Sequence, residues 1–218
     1  EHTVTEDVEG FSDQVWADTL FMVCIFMANM GRLTGEKKYS DFAIEQLCIH
    51  HRLLSDGNGL YFHGYNGAKK DHMSAVRWGR ANAWIIYSTM QILSLTGEFK
   101  EREKICEYVQ AHVKRLSECQ RADGGFGTVI DNEKSYAEIS ATAGILAGVK
   151  LAVDSGIVDK KYQAVYEKGC DAILNSIAED GSVLSVSTGT PVMESEEAYL
   201  NIPCTPTLYG QGLAIVAL

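Results

Sequence analysis

Proline is nearly absent from this sequence of 218 residues and occurs only at positions 191, 203 and 206. Because proline interrupts helix interiors, the chain before position 191 is free to form nearly continuous helix. The sequence also lacks a secretory signal peptide and any run of about 18 apolar residues that could cross a bilayer. We therefore expect a helical globular protein with no membrane partner.

Basic residues are also scarce, with 19 Lys and Arg against 29 Asp and Glu and a net charge of −10. This balance argues against nucleic acid as a partner, since proteins that bind nucleic acid need a basic surface patch. The six cysteines form no CxxC pair and fall mostly at apolar helical positions. They predict reduced thiols and hence a cytoplasmic protein.

Several catalytic signatures are missing. The sequence contains no GxSxG, HExxH, P-loop or GxGxxG motif, and no His, Cys and Asp cluster has metal-ligand spacing. We therefore expect no metal site. An ordinary glycosidase needs two carboxylates across the scissile bond, and the motifs described below offer one.

What the sequence does contain is an internal repeat. A Thr-Gly or Ser-Gly pair occurs at 34, 96 and 155, and an Asp-Gly turn at 56, 123 and 180. Each unit reads as an apolar helix, a glycine turn, an amphipathic helix and a longer loop. This alternation predicts an all-α toroid with two concentric layers of helices. We expect about seven helices and no substantial sheet, with inner helices near 14–34, 79–96, 138–155 and 207–218.

Asp18 and Arg80 occupy equivalent places in two successive inner helices, each 16 residues before the threonine of its Thr-Gly pair. Asp18 lies among apolar residues, so it must find a donor or take up a proton. Apolar neighbours would raise its pKa, whereas Arg80 or a helix N-terminus would lower it. Both residues also have a purely structural interpretation. Asp18 would then only accept hydrogen bonds from backbone amides in its helix, and Arg80 would only form a structural ion pair. Arg80 has no local carboxylate, so its partner is Asp18, Glu138 or a bound carboxylate.

Other candidates lie near the same rim of the toroid. Trp84 shares a helix face with Arg80, which suits a stacked sugar ring. His63 follows a glycine-rich turn, and taken alone it reads as a partly exposed loop histidine. Glu138 opens the third inner helix, where we favour a capping role. Small residues in the following segment 140–144 predict close helix packing.

Several motifs together resemble one family of enzymes. They are QVWADTLFM at 14–22, GLYFHGY at 59–65, WGRANAW at 78–84, SATA at 140–143 and YGQGL at 209–213. This set is similar to the unsaturated rhamnogalacturonyl hydrolases of glycoside hydrolase family 105, which are relatives of the unsaturated glucuronyl hydrolases of family 88. The resemblance implies an (α/α)6 barrel. Since residues 1–218 supply only about seven helices, we expect one catalytic domain truncated at the N-terminus and within the last helix, and able to self-associate.

The resemblance also implies a function. The substrate would be an oligosaccharide ending in a 4,5-unsaturated uronic acid, whose C4=C5 bond is hydrated without any cofactor. Asp18 corresponds to the catalytic aspartate, and the substrate-contacting positions correspond to Trp16, His63, Trp78, Arg80, Asn82 and Trp84. Two alternatives remain, a glucuronyl hydrolase acting on glycosaminoglycan fragments and a non-catalytic toroid that binds sugar or protein.

Overall fold

A computed structural model describes residues 13–218, so residues 1–12 of the predicted domain lie outside the described residues. The described chain forms eight α-helices and one small antiparallel sheet of two strands. In chain order the elements are β1 (Gln14–Trp16), α1 (Ile25–Thr34), α2 (Lys37–Leu54), β2 (Gly64–Asn66), α3 (Gly79–Leu95), α4 (Arg102–Cys119), α5 (Ile139–Asp154), α6 (Gln163–Leu174), α7 (Glu196–Leu200) and α8 (Leu208–Ala217).

The helices form the two predicted layers. The inner helices α3 and α5 are buried along almost their whole length, whereas the outer helices α2, α4 and α6 bury one face each. Helix α5 packs against α3, α6 and α8, and α1 packs against α2. The prediction of seven main helices is confirmed, and the short helix α7 is the additional one.

Small residues let α3 and α5 approach closely, as predicted from the segment 140–144. A Cβ atom on Gly144 would lie 2.8 Å from Cβ of Ala83, and one on Gly148 would lie 2.7 Å from a methyl carbon of Ile86. Neither position leaves room for a larger side chain without movement of the neighbouring helix.

The prediction that a helix starts at residue 14 is wrong. Residues 14–16 form β1, in which Val15 lies opposite Tyr65 of β2, and the helical backbone starts only at Asp18. The first turns, Leu20–Cys24, are π-helical before α1 continues. A short apolar run does not distinguish strand from helix. Here the segment is a strand because it pairs with a segment about 50 residues later.

The inner helices all begin at one rim of the molecule, where the longer loops also lie. One of these loops, residues 183–207, is called the rim segment below. A backbone hydrogen bond from the Ile139 amide to the Ser185 carbonyl ties it to α5, and an isolated bridge between Ser187 and Cys204 joins its two ends. Within residues 13–218 no helix has both the length and the apolar character needed to cross a membrane.

Candidate active site

Asp18 lies at the rim, two residues after β1, with its side chain almost completely buried at 3% exposure. Its two carboxylate oxygens have different partners. His63 Nε2 lies 3.0 Å from Oδ2, and Trp84 Nε1 donates to Oδ1 over 3.1 Å. The structure thus brings together three predicted site residues from three separate segments, and it places a donor on each oxygen of the acid.

His63 is held in place by its backbone as well as its side chain. Its carbonyl accepts a hydrogen bond from the Ala17 amide at 3.0 Å, and its own amide donates to the Val76 carbonyl at 3.1 Å. The rings of Trp16 and Trp78 lie 5.8 and 4.3 Å from the imidazole. With 1% exposure, His63 is not the partly exposed loop residue that the sequence suggested, because both aromatic neighbours cover it.

His63 also sets the protonation of Asp18. Burial alone would raise the pKa of the Asp18 carboxyl, since it disfavours the charged form. The charge that His63 carries when protonated and its hydrogen bond are the largest of the opposing contributions, and the net effect lowers the pKa of Asp18 below its ordinary value. Of the two directions that the sequence left open, the lowering of the Asp18 pKa is found, but its main cause is His63 and not Arg80.

Arg80 faces the rim segment. Its Nη1 donates to the carbonyl of Ser187 and its Nη2 to the carbonyl of Thr188, both at 3.0 Å. Its acidic neighbour is Glu138, with Nη1 and Oε1 3.8 Å apart, so one of the three predicted partners is correct. A contact between Arg80 and substrate stays a prediction, since protein acceptors occupy both terminal nitrogens in this structure.

Glu138 caps α5, as the sequence indicated. Its carboxylate accepts hydrogen bonds from the Ala141 amide at 2.6 Å and from the Ser187 amide at 2.9 Å. It therefore joins the start of an inner helix to the rim segment. Because the cap and Arg80 use this fully buried carboxylate, Glu138 does not supply a second free acid at the site.

Asn82 supports the segment that leads into His63. Its side chain accepts from the Tyr61 amide and donates to the Tyr61 carbonyl, each at 3.0 Å, and His112 Nε2 lies 3.2 Å from its oxygen. These bonds fix the chain two residues before His63. The structure does not bring Asn82 to Asp18, and its predicted contact with substrate is untested.

Tyr199 of α7 was not predicted from the sequence. Its hydroxyl lies 2.6 Å from His63 Nδ1, on the side of the imidazole opposite Asp18. The two residues are 136 positions apart, and no spacing or motif in the sequence connects them. A tyrosine in a polar loop was the only signal that the sequence offered.

An apolar groove of about 280 Å³ runs beside the acid, between the start of the first inner helix, α3 and α8. Trp84 forms part of its wall, and the ring of Phe21 lies 4.2 Å from the Trp84 ring. The full lining is Phe21, Trp84, Tyr87, Tyr209, Gly212, Leu213 and Val216. A larger, charged cleft of about 610 Å³ lies at the end of α4 and contains none of the predicted site residues. The groove is therefore an open space adjacent to Trp84, one of the two Asp18 partners.

Comparison with known families now assigns the chain. The sequence profile of the family described as "Glycosyl Hydrolase Family 88" matches residues 2–218, and the chain belongs to that family. The resemblance drawn from the motifs is therefore confirmed, and the helical toroid is part of an (α/α)6 barrel.

Two proteins named as hydrolases are similar to the chain. "Unsaturated rhamnogalacturonyl hydrolase YesR" of Bacillus subtilis (strain 168) is 34% identical over 221 residues, which cover 100% of this chain and 62% of that protein. "Unsaturated 3S-rhamnoglycuronyl hydrolase" of Alteromonas sp. (strain LOR) is 30% identical over 213 residues, which cover 93% of this chain and 49% of that protein.

A solved structure is also similar throughout. The crystal structure of "a possible member of GH105 family" from Salmonella enterica subsp. enterica serovar Paratyphi A str. ATCC 9150 superposes with a TM-score of 0.91 at 31% identity. The match covers 94% of this chain and 55% of that one. The chain thus spans 49–62% of the length of these proteins.

Proposed function

We propose that this chain carries the catalytic acid of a glycoside hydrolase that removes a terminal 4,5-unsaturated uronic acid from an oligosaccharide. The observation that supports it most is the buried Asp18 carboxylate with His63 and Trp84 as its two donors. Hydration of a double bond needs only one such group, because the same carboxyl can first give a proton and then take one. Direct hydrolysis of the acetal would need two.

The chemical steps follow from the electronic structure of the substrate. The C4=C5 bond is a vinyl ether conjugated to a carboxylate, so protonation at C4 by Asp18 places oxocarbenium character at C5. Water adds at C5 while the Asp18 carboxylate takes its proton, which restores the acid. The resulting hemiketal opens to a ketone at C5 and leaves a hemiacetal at C1. Loss of the next sugar as a free alcohol then breaks the glycosidic bond, with one water consumed.

Asp18 must be protonated before the first step, although its pKa is lowered in the free protein. Substrate binding reverses this lowering of the pKa, because the substrate carboxylate brings a negative charge next to Asp18. A like charge nearby raises the pKa of a carboxyl group. Binding of the anionic sugar thus favours protonation of Asp18, and product release returns Asp18 to the ionised form.

The aromatic groove beside Asp18 is a suitable place for the sugar rings. Sugars present apolar C–H faces that stack on aromatic side chains, and Trp84 belongs both to the groove and to the hydrogen bonds of Asp18. We assign substrate contact to Trp16, His63, Trp78 and Trp84. Arg80 and Asn82 belong to the proposed site because they hold neighbouring segments in place beside it.

The sugar that follows the uronate is rhamnose in this proposal, because a rhamnogalacturonyl hydrolase is 34% identical to the chain over its whole length. The family profile is described by family 88, which makes a glucuronyl substrate the second candidate. The test is to incubate the chain with the unsaturated disaccharides of rhamnogalacturonan and of chondroitin, and to follow the ultraviolet absorbance of the conjugated double bond. Faster loss with the first substrate supports the proposal, faster loss with the second selects the alternative, and no loss with either contradicts both.

We also propose a cytoplasmic localisation and self-association for this protein. The six cysteines are free thiols, which suits the reducing cytoplasm, and the acidic net charge of −10 disfavours nucleic acid as a partner. Exposed apolar side chains on the first inner helix and on α8 favour self-association of the chain. They are Met22, Val23, Phe26, Leu33, Leu208, Ile215, Val216 and Leu218.

A further inference from the structure

Tyr199, His63 and Asp18 form a row of hydrogen-bonded side chains that is buried from end to end. The Tyr199 hydroxyl lies 2.6 Å from His63 Nδ1, and His63 Nε2 lies 3.0 Å from Asp18 Oδ2. Tyr199 has no exposed surface. Since each ring nitrogen of His63 faces one of these two side chains, they decide where the histidine carries its hydrogen.

The hydrogen positions follow from the network. An ionised carboxylate can only accept, so the bond to Asp18 requires a hydrogen on Nε2 of His63. A neutral imidazole carries one N–H, which leaves Nδ1 as an acceptor. The Tyr199 hydroxyl is the group placed to donate to it. The short distance between oxygen and nitrogen is consistent with that direction.

The rim segment fixes the hydroxyl in this orientation. The oxygen of Tyr199 accepts a hydrogen bond from the Met193 amide at 3.1 Å, which leaves the hydroxyl hydrogen to point at His63. Burial raises the pKa of Tyr199, so the hydroxyl keeps its hydrogen in the neutral range. Tyr199 therefore acts as a fixed donor and does not exchange its proton with substrate.

We propose that Tyr199 is a positioning residue for the reaction, holding His63 in the tautomer that donates from Nε2 to Asp18. The inference rests on the proposed function, in which Asp18 gives and then takes a proton. Without the hydroxyl, Asp18 alone selects the tautomer, and the form with its hydrogen on Nδ1 gains population. That form turns a lone pair towards the Asp18 carboxylate and withdraws the donor that stabilises the ionised acid.

The test compares Tyr199→Phe with a matched control, Tyr136→Phe. Both substitutions remove a buried or half-buried hydroxyl that meets the rim region, but the Tyr136 hydroxyl donates to the Ile202 carbonyl at 3.3 Å and does not touch His63. Nitrogen-15 NMR of the histidine side chains, at a pH of about 8 where free histidine is neutral, reports the tautomer of His63 in the folded protein without any substrate.

We expect the Nε2–H tautomer for His63 in the parent and in Tyr136→Phe, and a larger share of the Nδ1–H tautomer in Tyr199→Phe. In turnover of the unsaturated disaccharide, Tyr199→Phe should lower kcat by about ten-fold, as for loss of one hydrogen bond. KM should change little, and the alkaline limb of the pH profile, along which Asp18 loses its proton, should move to higher pH.

Three results would overturn the proposal: an Nδ1–H tautomer in the parent, an unchanged tautomer in folded Tyr199→Phe, or equal losses of kcat in the two variants. The NMR measurement needs no activity. A parent that holds the Nε2–H tautomer but does not turn over substrate would therefore reject the proposed function and leave the positioning by Tyr199 intact.

Discussion

Trp84 and Trp78 are two buried tryptophans at the start of α3 whose indole nitrogens differ in one respect. Trp84 Nε1 donates to Asp18, whereas Trp78 Nε1 has no hydrogen-bond partner among the described residues. Trp84→Phe should therefore raise the pKa of Asp18 by about one unit, because a donor to the charged form is lost. Trp78→Phe should leave that pKa unchanged. Carbon-13 NMR titration of the Asp18 carboxyl measures both, and equal shifts would show that ring packing alone is responsible.

Two buried histidines make the stability of the fold depend on pH. Burial lowers the pKa of His51 and of His112 to about 3, so the unfolded chain binds more protons between that value and the ordinary pKa of about 6.5. The free energy of unfolding should then decrease as the pH falls through this window. The slope is about 1.4 kcal/mol per pH unit for each histidine.

His112→Gln should remove one of these two contributions, so denaturant unfolding between pH 6.5 and 4 should show a slope smaller by about 1.4 kcal/mol per pH unit. Gln110→Ala on the same helix is the control and should keep the parental slope. A parental slope in His112→Gln would mean that His112 takes up its proton in the folded protein as readily as in the unfolded chain.

At the scale of single residues, the sequence predicted which side chains lie close together better than it predicted their individual contacts. Asp18, His63 and Trp84 were all candidates, and the structure joins them. The partner of Asp18 was not predictable, because repeat spacing gives the height of a residue along its helix but not the direction of its side chain. Tyr199 was missed since its contact with His63 depends on the path of a long loop.

Helix packing gives a prediction at the scale of elements. Gly148→Ala would place a Cβ atom 2.7 Å from Ile86 on α3, so the helices must separate. This should destabilise the protein by about 1–3 kcal/mol. Gly212→Ala on α8 meets nothing within 4 Å and should stabilise by about 0.5–1 kcal/mol through its better helix propensity. Thermal unfolding of both variants checks this, and similar midpoints for the two would contradict it.

The elements themselves were largely predictable. Helices α3 and α5 are apolar on all sides and end at Thr-Gly or Ser-Gly, which identified them as inner helices. Strand β1 was not predictable, because a strand of three residues depends on its partner Gly64–Asn66 and carries little periodicity of its own. The π-helical turns at Leu20–Cys24 likewise leave no signature in the apolar pattern.

The apolar faces of the first inner helix and α8 lead to a prediction for the whole molecule. Phe26 is 61% exposed and Ile215 71% exposed, and monomers rarely leave large apolar surfaces of this kind uncovered. The chain should therefore form dimers or larger species in sedimentation velocity, and the double substitution Phe26→Lys with Ile215→Lys should shift it towards the monomer.

Leu174→Lys is the matched control, since Leu174 is 54% exposed on the outer helix α6, and it should leave the assembly unchanged. A parent chain that sediments as a monomer at all concentrations, and that binds no hydrophobic dye, would contradict self-association.

The paired behaviour of the parent and Asp18→Asn on the unsaturated rhamnogalacturonan disaccharide tests the central claim most directly. Asparagine keeps the shape of the side chain and removes the transferable proton. The loss of ultraviolet absorbance from the C4=C5 bond should slow by about 10²–10⁴-fold, while calorimetry shows substrate still bound. If Asp18→Asn hydrates the double bond at the parental rate, or if the parent leaves the absorbance unchanged, Asp18 is not the acid of this reaction.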